Sequence, residues 1–173
     1  MTAQTFPDGA NHRRYNVRGE RDEWLATVFI GADGVFSTVS DYGNYGHYWG
    51  SPSCDIRAFL CRVDENYLVG KLSPQWETDI DATEVEVKKT IIRLRRAGTL
   101  DAEQARDEWE LLSYGRAGND GGWWENTSLG QYAFPGDLWQ ERRCPQAVLF
   151  VERVMPRLAA MLRAELAAEK AAA

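Results

Sequence analysis

Trp24-Leu25-Ala26-Thr27-Val28-Phe29-Ile30-Gly31-Ala32-Asp33-Gly34-Val35-Phe36-Ser37-Thr38-Val39-Ser40 holds two runs rich in β-branched and aromatic residues around a turn dipeptide. Alternation on both sides of Asp33-Gly34 predicts a β-hairpin. Its register stays open. A two-residue loop at Asp33-Gly34 pairs Val28 with Val39, whereas a four-residue loop from Gly31 to Gly34 pairs Phe29 with Phe36. The choice decides which face is core, because a one-residue slip turns every side chain over.

Downstream the period changes. Pro145 opens a long helix reaching about Glu169, with Val148, Val151, Val154, Met155, Leu158, Met161, Leu162 and Leu166 at helical spacing. Pro156 should kink it, since proline removes a backbone donor and crowds the carbonyl of Glu152. Between hairpin and helix, Asp79 to Arg96 carries Ile80, Val87, Ile91 and Leu94 on one face, acids first and Arg93, Arg95 and Arg96 last, with Gly98 at C′. Asp101 with Gln104 resembles a capping box for a second helix, striped by Ala102, Ala105, Trp109 and Leu112, and the two make a helical hairpin. Ser51-Pro52 predicts the start of a short amphipathic helix with Ile56, Phe59, Leu60 and Val63 inward, and Tyr67 to Leu72 is a strand or helical turn ended by Pro74. The expected architecture is α+β: an N-terminal β-hairpin or small antiparallel sheet packed against several helices, with a long C-terminal helix. Residues 1–173 are expected to form one domain, with 1–20 a flexible N-terminal segment and 167–173 a frayed Ala-rich tail.

Composition bounds the function. At 44% hydrophobic residues and a net charge of -6, the 173-residue chain has material for a core and no general basic footprint for nucleic acid. The three cysteines, Cys54, Cys61 and Cys144, are odd in number. Cys54 and Cys61, two turns apart on the expected helix, would sit ~10 Å apart, beyond disulfide reach. A reducing cytoplasm fits, and no apolar run approaches the ~20 residues of a membrane span.

Motif chemistry is sparse. Gly115 to Gly122 lacks the Lys and hydroxyl pair of a phosphate loop. His12 and His47 lie far from each other and from paired cysteines, so no zinc site is expected. Asp79-Ile80-Asp81 with Glu84 lacks the sixth-position glycine of a calcium loop, and Thr90 stands at its twelfth position. No metal and no cofactor are expected. The weak catalytic candidates are His47 with Asp41 as base and orienter, or His47 with Cys54 or Cys61.

Partner-binding candidates are stronger. Tyr42, Tyr45, Tyr48 and Trp49 sit in a glycine-spaced stretch read as a strand end running into a loop, and such rings anchor interfaces, although Trp49 and Tyr42 could equally finish the core. Trp123 and Trp124 add a second aromatic site after the glycine-rich loop. The acids Glu77, Asp79, Asp81, Glu84 and Glu86, joined by Asp101, Glu103, Asp107, Glu108 and Glu110, could form one negative surface if their helices pack antiparallel.

The block Ser40-Asp41-Tyr42-Gly43-Asn44-Tyr45 with Tyr48-Trp49, then Phe59-Leu60, Tyr67-Leu68, Gly70-Lys71-Leu72, Phe150-Val151-Glu152 and Pro156-Arg157-Leu158, resembles a family of small bacteriophage and prophage proteins. The resemblance implies no catalytic residue. It implies a setting: an accessory protein in the cytoplasm of an infected or lysogenic bacterium, contacting a host protein or protein–nucleic acid complex, with inhibition of an anti-phage defence such as CRISPR or restriction as the expected role. Enzymatic modification of a host target and weak single-stranded nucleic-acid binding on Tyr45, Tyr48 and Trp49 are the alternatives.

Overall fold

The structure is a computed structural model that describes residues 4–5, 12–50, 54–114 and 122–173. In chain order come β1 (Gln4–Thr5), β2 (His12–Arg18), β3 (Trp24–Gly31), β4 (Val35–Ser40), β5 (Tyr45–Tyr48), α1 (Ile56–Leu60) and α2 (Glu65–Leu72). Then follow β6 (Trp76–Thr78), α3 (Ile80–Arg96), α4 (Ala102–Tyr114), α5 (Gly122–Asn126), a 3₁₀ turn at Leu129–Gln131, α6 (Pro135–Leu138), β7 (Glu141–Arg143), α7 (Pro145–Arg153) and α8 (Met155–Ala172). The fold is α+β, as the period change predicts. The chain divides into two compact units, Met1–Gln75 with Arg143–Ala173, and Trp76–Arg142.

In the first unit β1 to β5 form an antiparallel meander in sequence order. The hairpin takes neither expected register. Ile30 pairs with Phe36 and Val28 with Thr38, so the connection is the three residues 32–34. The Gly34 amide donates to the Gly31 carbonyl (3.0 Å), and Gly34 then takes φ +101°, the left-handed residue that closes a three-residue hairpin loop. This register puts Ala26, Val28, Ile30 and Phe36 on the buried face with Tyr15 and Val17 of β2. A bulge between Val17 and Arg18 leaves Leu25 as the extra residue of β3, and it joins the core beside Ala26.

Helices α1, α2, α7 and α8 supply the other side of that core through Ile56, Leu60, Leu68, Val69, Leu72, Phe150, Val151, Leu158 and Leu162. Each such apolar side chain contributes roughly 1.5–3 kcal/mol when fully buried. Helix α1 starts at Ile56 with Asp55 as N-cap, later than expected, and the Ser51-Pro52 start lies outside the described residues. Cys54 therefore precedes the helix, Cys61 is its C-cap, and all three cysteines are free. Asp64 caps α2, which settles Tyr67 to Leu72 as helix. The C-terminal helix breaks where Pro156 predicts. Val154 (φ -94°, ψ -46°) separates α7 from α8, and hydrogen bonding resumes from Leu158 to Val154. Helix α8 runs to Ala172.

The second unit is built on the α3–α4 hairpin. Asp79 caps α3, and Gly98 (φ +73°) terminates it. The capping box forms as expected, with the Asp101 amide donating to Gln104 Oε1 and the Gln104 amide to Asp101 Oδ1, both 2.9 Å. Val87, Ile91, Leu94, Leu100, Leu112, Trp123, Leu129 and Leu138 make its core. The inward face of α4 differs from the expected stripe: Leu112 is buried, but Trp109 is 40% exposed while Glu108 goes inside. Glu108 accepts from the Thr127 hydroxyl and from both the amide (2.7 Å) and hydroxyl (2.6 Å) of Ser128, so its buried charge is hydrogen-bonded throughout.

Candidate functional site

The aromatic residues expected to anchor a partner separate by strand parity. Tyr45 and His47 pair with Thr38 and Phe36 and share the core side, whereas Gly46 and Tyr48 pair with Ser37 and Val35 and point the other way. The Tyr45 ring packs 5.0 Å from Phe150, and its hydroxyl donates to the Tyr42 carbonyl (2.7 Å). Tyr42 is half-buried against the core. Trp49 belongs to the core outright, within 6.0 Å of Phe36 and 5.5 Å of Phe59, its indole N–H donating to the Tyr67 hydroxyl (3.3 Å). Only Tyr48, 60% exposed, remains as a presented ring. Within the glycine-spaced stretch Asp41-Tyr42 is a turn and Tyr45–Tyr48 is the edge strand β5.

Tyr48 lies on the face of the sheet that none of the first unit's four core helices covers. Outward positions of β2 to β5 include Arg14, Asn16, Arg18, Thr27, Phe29, Val35, Ser37, Val39 and Tyr48, with Trp24 at one end, and contain no Asp or Glu. Val39 is 51% exposed and Trp24 rests on the bulge end, its N–H donating to Thr27 (3.2 Å). Arg18 is bonded to the Asp22 carbonyl (2.7 Å). Arg14 stands opposite Phe29, and its Nε has no hydrogen-bond partner among the described residues. These outward positions are apolar, aromatic and mildly basic in a chain of net charge -6.

Among the described residues no hydrogen bond joins His47 to Asp41, Cys54 or Cys61. His47 is held edge-on to Trp49 (4.5 Å), and burial together with Lys71 pushes its imidazole below the ordinary histidine value. Asp41 is exposed in the turn after β4, and among the described residues no hydrogen bond joins it to His47. Cys61 is pushed upward by burial, which favours the inert thiol.

Several acids of the expected negative surface have structural roles, while Glu103, Asp107 and Glu110 stay exposed. Antiparallel packing places the acidic start of α3 and the acidic start of α4 at opposite ends of the hairpin. Asp79 caps α3, Glu84 pairs with Lys88, Glu86 with Lys89 (3.0 Å), and Glu108 is buried. Glu77 and Asp81 remain exposed. Trp123 is 3% exposed, stacked edge-on with Trp139 (6.1 Å), and is core; the Trp124 side chain lies outside the described residues, as does the glycine-rich stretch 115–121.

A cluster that sequence reasoning missed joins three elements of the first unit. Arg57 of α1 is 9% exposed and bonds Asp55 (2.7 Å), Glu165 (3.2 Å) and Glu169 (2.8 Å), while Arg13 of β2 pairs with Glu165 and Glu169 (2.7 Å). The Tyr15 hydroxyl donates to Glu165 (2.7 Å). The arginines hold Glu169 down to about 2, Arg57 keeps Asp55 below the ordinary carboxylate range, and burial raises Tyr15. A cavity of about 290 Å³ lies beside it, lined by Arg13, Ile30, Ala32, Asp55, Ile56 and Arg57. Both arginines there are already matched by carboxylates, so the cluster is a brace between sheet and helices. Among the described residues no group of three metal-ligating side chains occurs, and no helix is long and apolar enough to cross a membrane.

An α+β chain whose antiparallel sheet packs helices on one face and is braced to them through Arg13 and Arg57 is the class these elements define. Residues 10–164 match Phage_phiTE_072, a phage family, and the chain belongs to that family. No curated protein and no solved structure matches it.

Proposed function

We propose that this phage protein is an accessory binding protein that inhibits a host nucleic-acid-handling defence complex, of the CRISPR or restriction type, by protein–protein contact in the cytoplasm of the infected cell. The observation that carries the reading is the exposure of Tyr48 and Val39 on the sheet face opposite the first unit's core helices. Tyr48 and Val39 project from neighbouring strands on the side that also carries Phe29 and Trp24, while the other rings of the same segment pack against the core. Rigid strands present such side chains without an ordering cost, the condition for a hot spot. The test is titration of the purified chain into a reconstituted CRISPR effector and a restriction enzyme, with DNA cleavage as readout. Inhibition that saturates at equimolar protein, and is lost on Tyr48→Asp with Val39→Asp at unchanged circular dichroism, supports the reading. No inhibition of either, together with unchanged phage plating on strains carrying them, overturns it.

A second reading rests on the exposed Tyr48 ring, with Phe29 and Arg14 on the same side of the sheet: single-stranded nucleic acid stacking on Tyr48. Labelled single-stranded DNA and RNA, titrated at low and moderate salt, separate the two. Binding that weakens steeply with salt and disappears in Tyr48→Ser favours the nucleic acid.

A further inference from the structure

The second unit carries its own unfilled surface. On α3 the buried stripe of Val87, Ile91 and Leu94 is flanked by Val85 and Ile92, which are 51% and 41% exposed. On α4, Trp109 faces outward with the Lys88 ammonium 5.4 Å from its ring centroid. Between the helices runs a groove of about 500 Å³ whose walls are Ile91, Ile92, Ala102, Ala105 and Trp109. Nothing in the capping box, the dipole or the core of this unit requires Ile92 or Trp109 to be apolar, and each would be more soluble as a charged residue.

The rim of the groove identifies what fits. Arg95, Arg96 and Arg106 line it against the single carboxylate of Glu110. Among the described residues none of these three guanidinium groups makes an ion pair or side-chain hydrogen bond, whereas Arg13, Arg18, Arg57, Arg142 and Arg157 all pair with carboxylates. Three unpaired arginines around an apolar floor, in a chain of net charge -6, complement an acidic and apolar ligand. Shape restricts it further. The floor follows α4 from Ala102 to Glu110, ~12 Å at 1.5 Å per residue, the length of about two to three helical turns. Ala102 and Ala105 let a third backbone approach closely, as small residues do at helix contacts.

We propose that the α3–α4 groove is a docking site for an acidic amphipathic helix of a partner protein, its apolar residues at i, i+3 or i+4 and i+7 seated against Ile92 and Trp109 and its carboxylates meeting Arg95, Arg96 and Arg106. This is the helix-in-groove mode of recognition. It concerns the second unit only and is independent of the sheet face, so either can fail alone.

The experiment uses the full chain and a fluorescein-labelled helical 14-mer with Leu at i, i+3 and i+7 and Glu at the flanking positions, followed by anisotropy. Two control probes carry Lys in place of Glu, or the same residues scrambled. The Glu probe should bind at least ~10-fold more tightly than either control, because oppositely charged rims attract and like-charged ones cost affinity. Arg95→Glu with Arg96→Glu should invert the preference between Glu and Lys probes, an outcome that misfolding cannot produce. Ile92→Asp should abolish binding of the Glu probe with the circular dichroism spectrum unchanged. Equal binding of Glu and scrambled probes, or a preference untouched by the arginine reversal, overturns the proposal. So does a concentration-dependent dimer in light scattering that Ile92→Asp dissociates, since the groove would then belong to a second copy of the chain, and so does groove-dependent binding of DNA.

Discussion

Replacing Arg57 by Ala should cost the protein about 2–3 kcal/mol of stability, between the ~0–1 kcal/mol of an exposed ion pair and the ~3–5 kcal/mol of breaking a buried one. The placement follows from the geometry. Arg57 is 9% exposed, yet the side chains of its partners Asp55 and Glu165 are 40% and 21% exposed, so water screens part of each interaction. Truncation leaves Asp55, Glu165 and Glu169 facing one another with Arg13 as the only remaining cation of the cluster. For a chain of this length, ~2–4 °C per kcal/mol puts the fall in Tm at roughly 4–12 °C. The assay is thermal and urea unfolding by circular dichroism on wild type, Arg57→Ala, and Arg57→Met with Glu165→Gln. Removing a carboxylate as well as the arginine should recover about half the loss, because the dominant cost is uncompensated charge. A shift below about 2 °C in Arg57→Ala, or no recovery in the double variant, would refute the view of this cluster as a brace, given the ~2–4 °C expected for each kcal/mol.

Two further outcomes follow from the same geometry. Gly34→Ala should destabilise by more than ~2 kcal/mol in urea unfolding, since a Cβ there would lie 2.1 Å from the Trp49 carbonyl oxygen at a φ of +101° that L-residues avoid; a loss within ±0.5 kcal/mol, the range of an ordinary surface substitution, would contradict the observed register. Acid should also unfold the protein by a definite route. Asp55 and Glu169 have folded values below their unfolded ones, so their contribution is whole above the ordinary carboxylate range and is lost as pH falls toward about 2. A pH series of Tm should steepen over that interval in wild type and flatten in Arg57→Ala, and parallel curves would count against the assignment.

Much of the architecture is legible in the residues, and each misreading has a physical cause. Strand β2 hides because His12-Arg13-Arg14-Tyr15-Asn16-Val17-Arg18 offers only Tyr15 and Val17 as an inward pair. The third core-side residue is Arg13, tolerated there because Glu165 and Glu169 meet it from a helix some 150 residues later in the chain. Turn residues alone leave the hairpin register open, since Asp33-Gly34 serves two-, three- and four-residue loops; in the fold the three-residue loop goes with burial of Val28, Ile30 and Phe36 and with the Trp49 amide donating to the Gly34 carbonyl (3.0 Å). The extent of strand β5 is blurred in a stretch that reads as a strand end running into a loop, because its glycines mask the alternation of Tyr45 and His47 with Gly46 and Tyr48.

The partner surfaces fail in sequence for a different reason. Exposure is a property of what lies opposite, and the candidates Tyr45, Trp49 and Trp123 are the same residue types whether they anchor a partner or fill a core. On α4 the spacing of Trp109 and Leu112 suggested a common face, yet one of them points out because Glu108 points in. That inversion depends on Thr127 and Ser128, 19 and 20 residues away, satisfying a carboxylate that periodicity treats as a surface residue. The consequence runs directly to function. With Glu108 withdrawn from the surface and Trp109 placed beside Arg106, α4 lines an apolar groove edged by arginine while Asp101, Glu103 and Asp107 stay exposed.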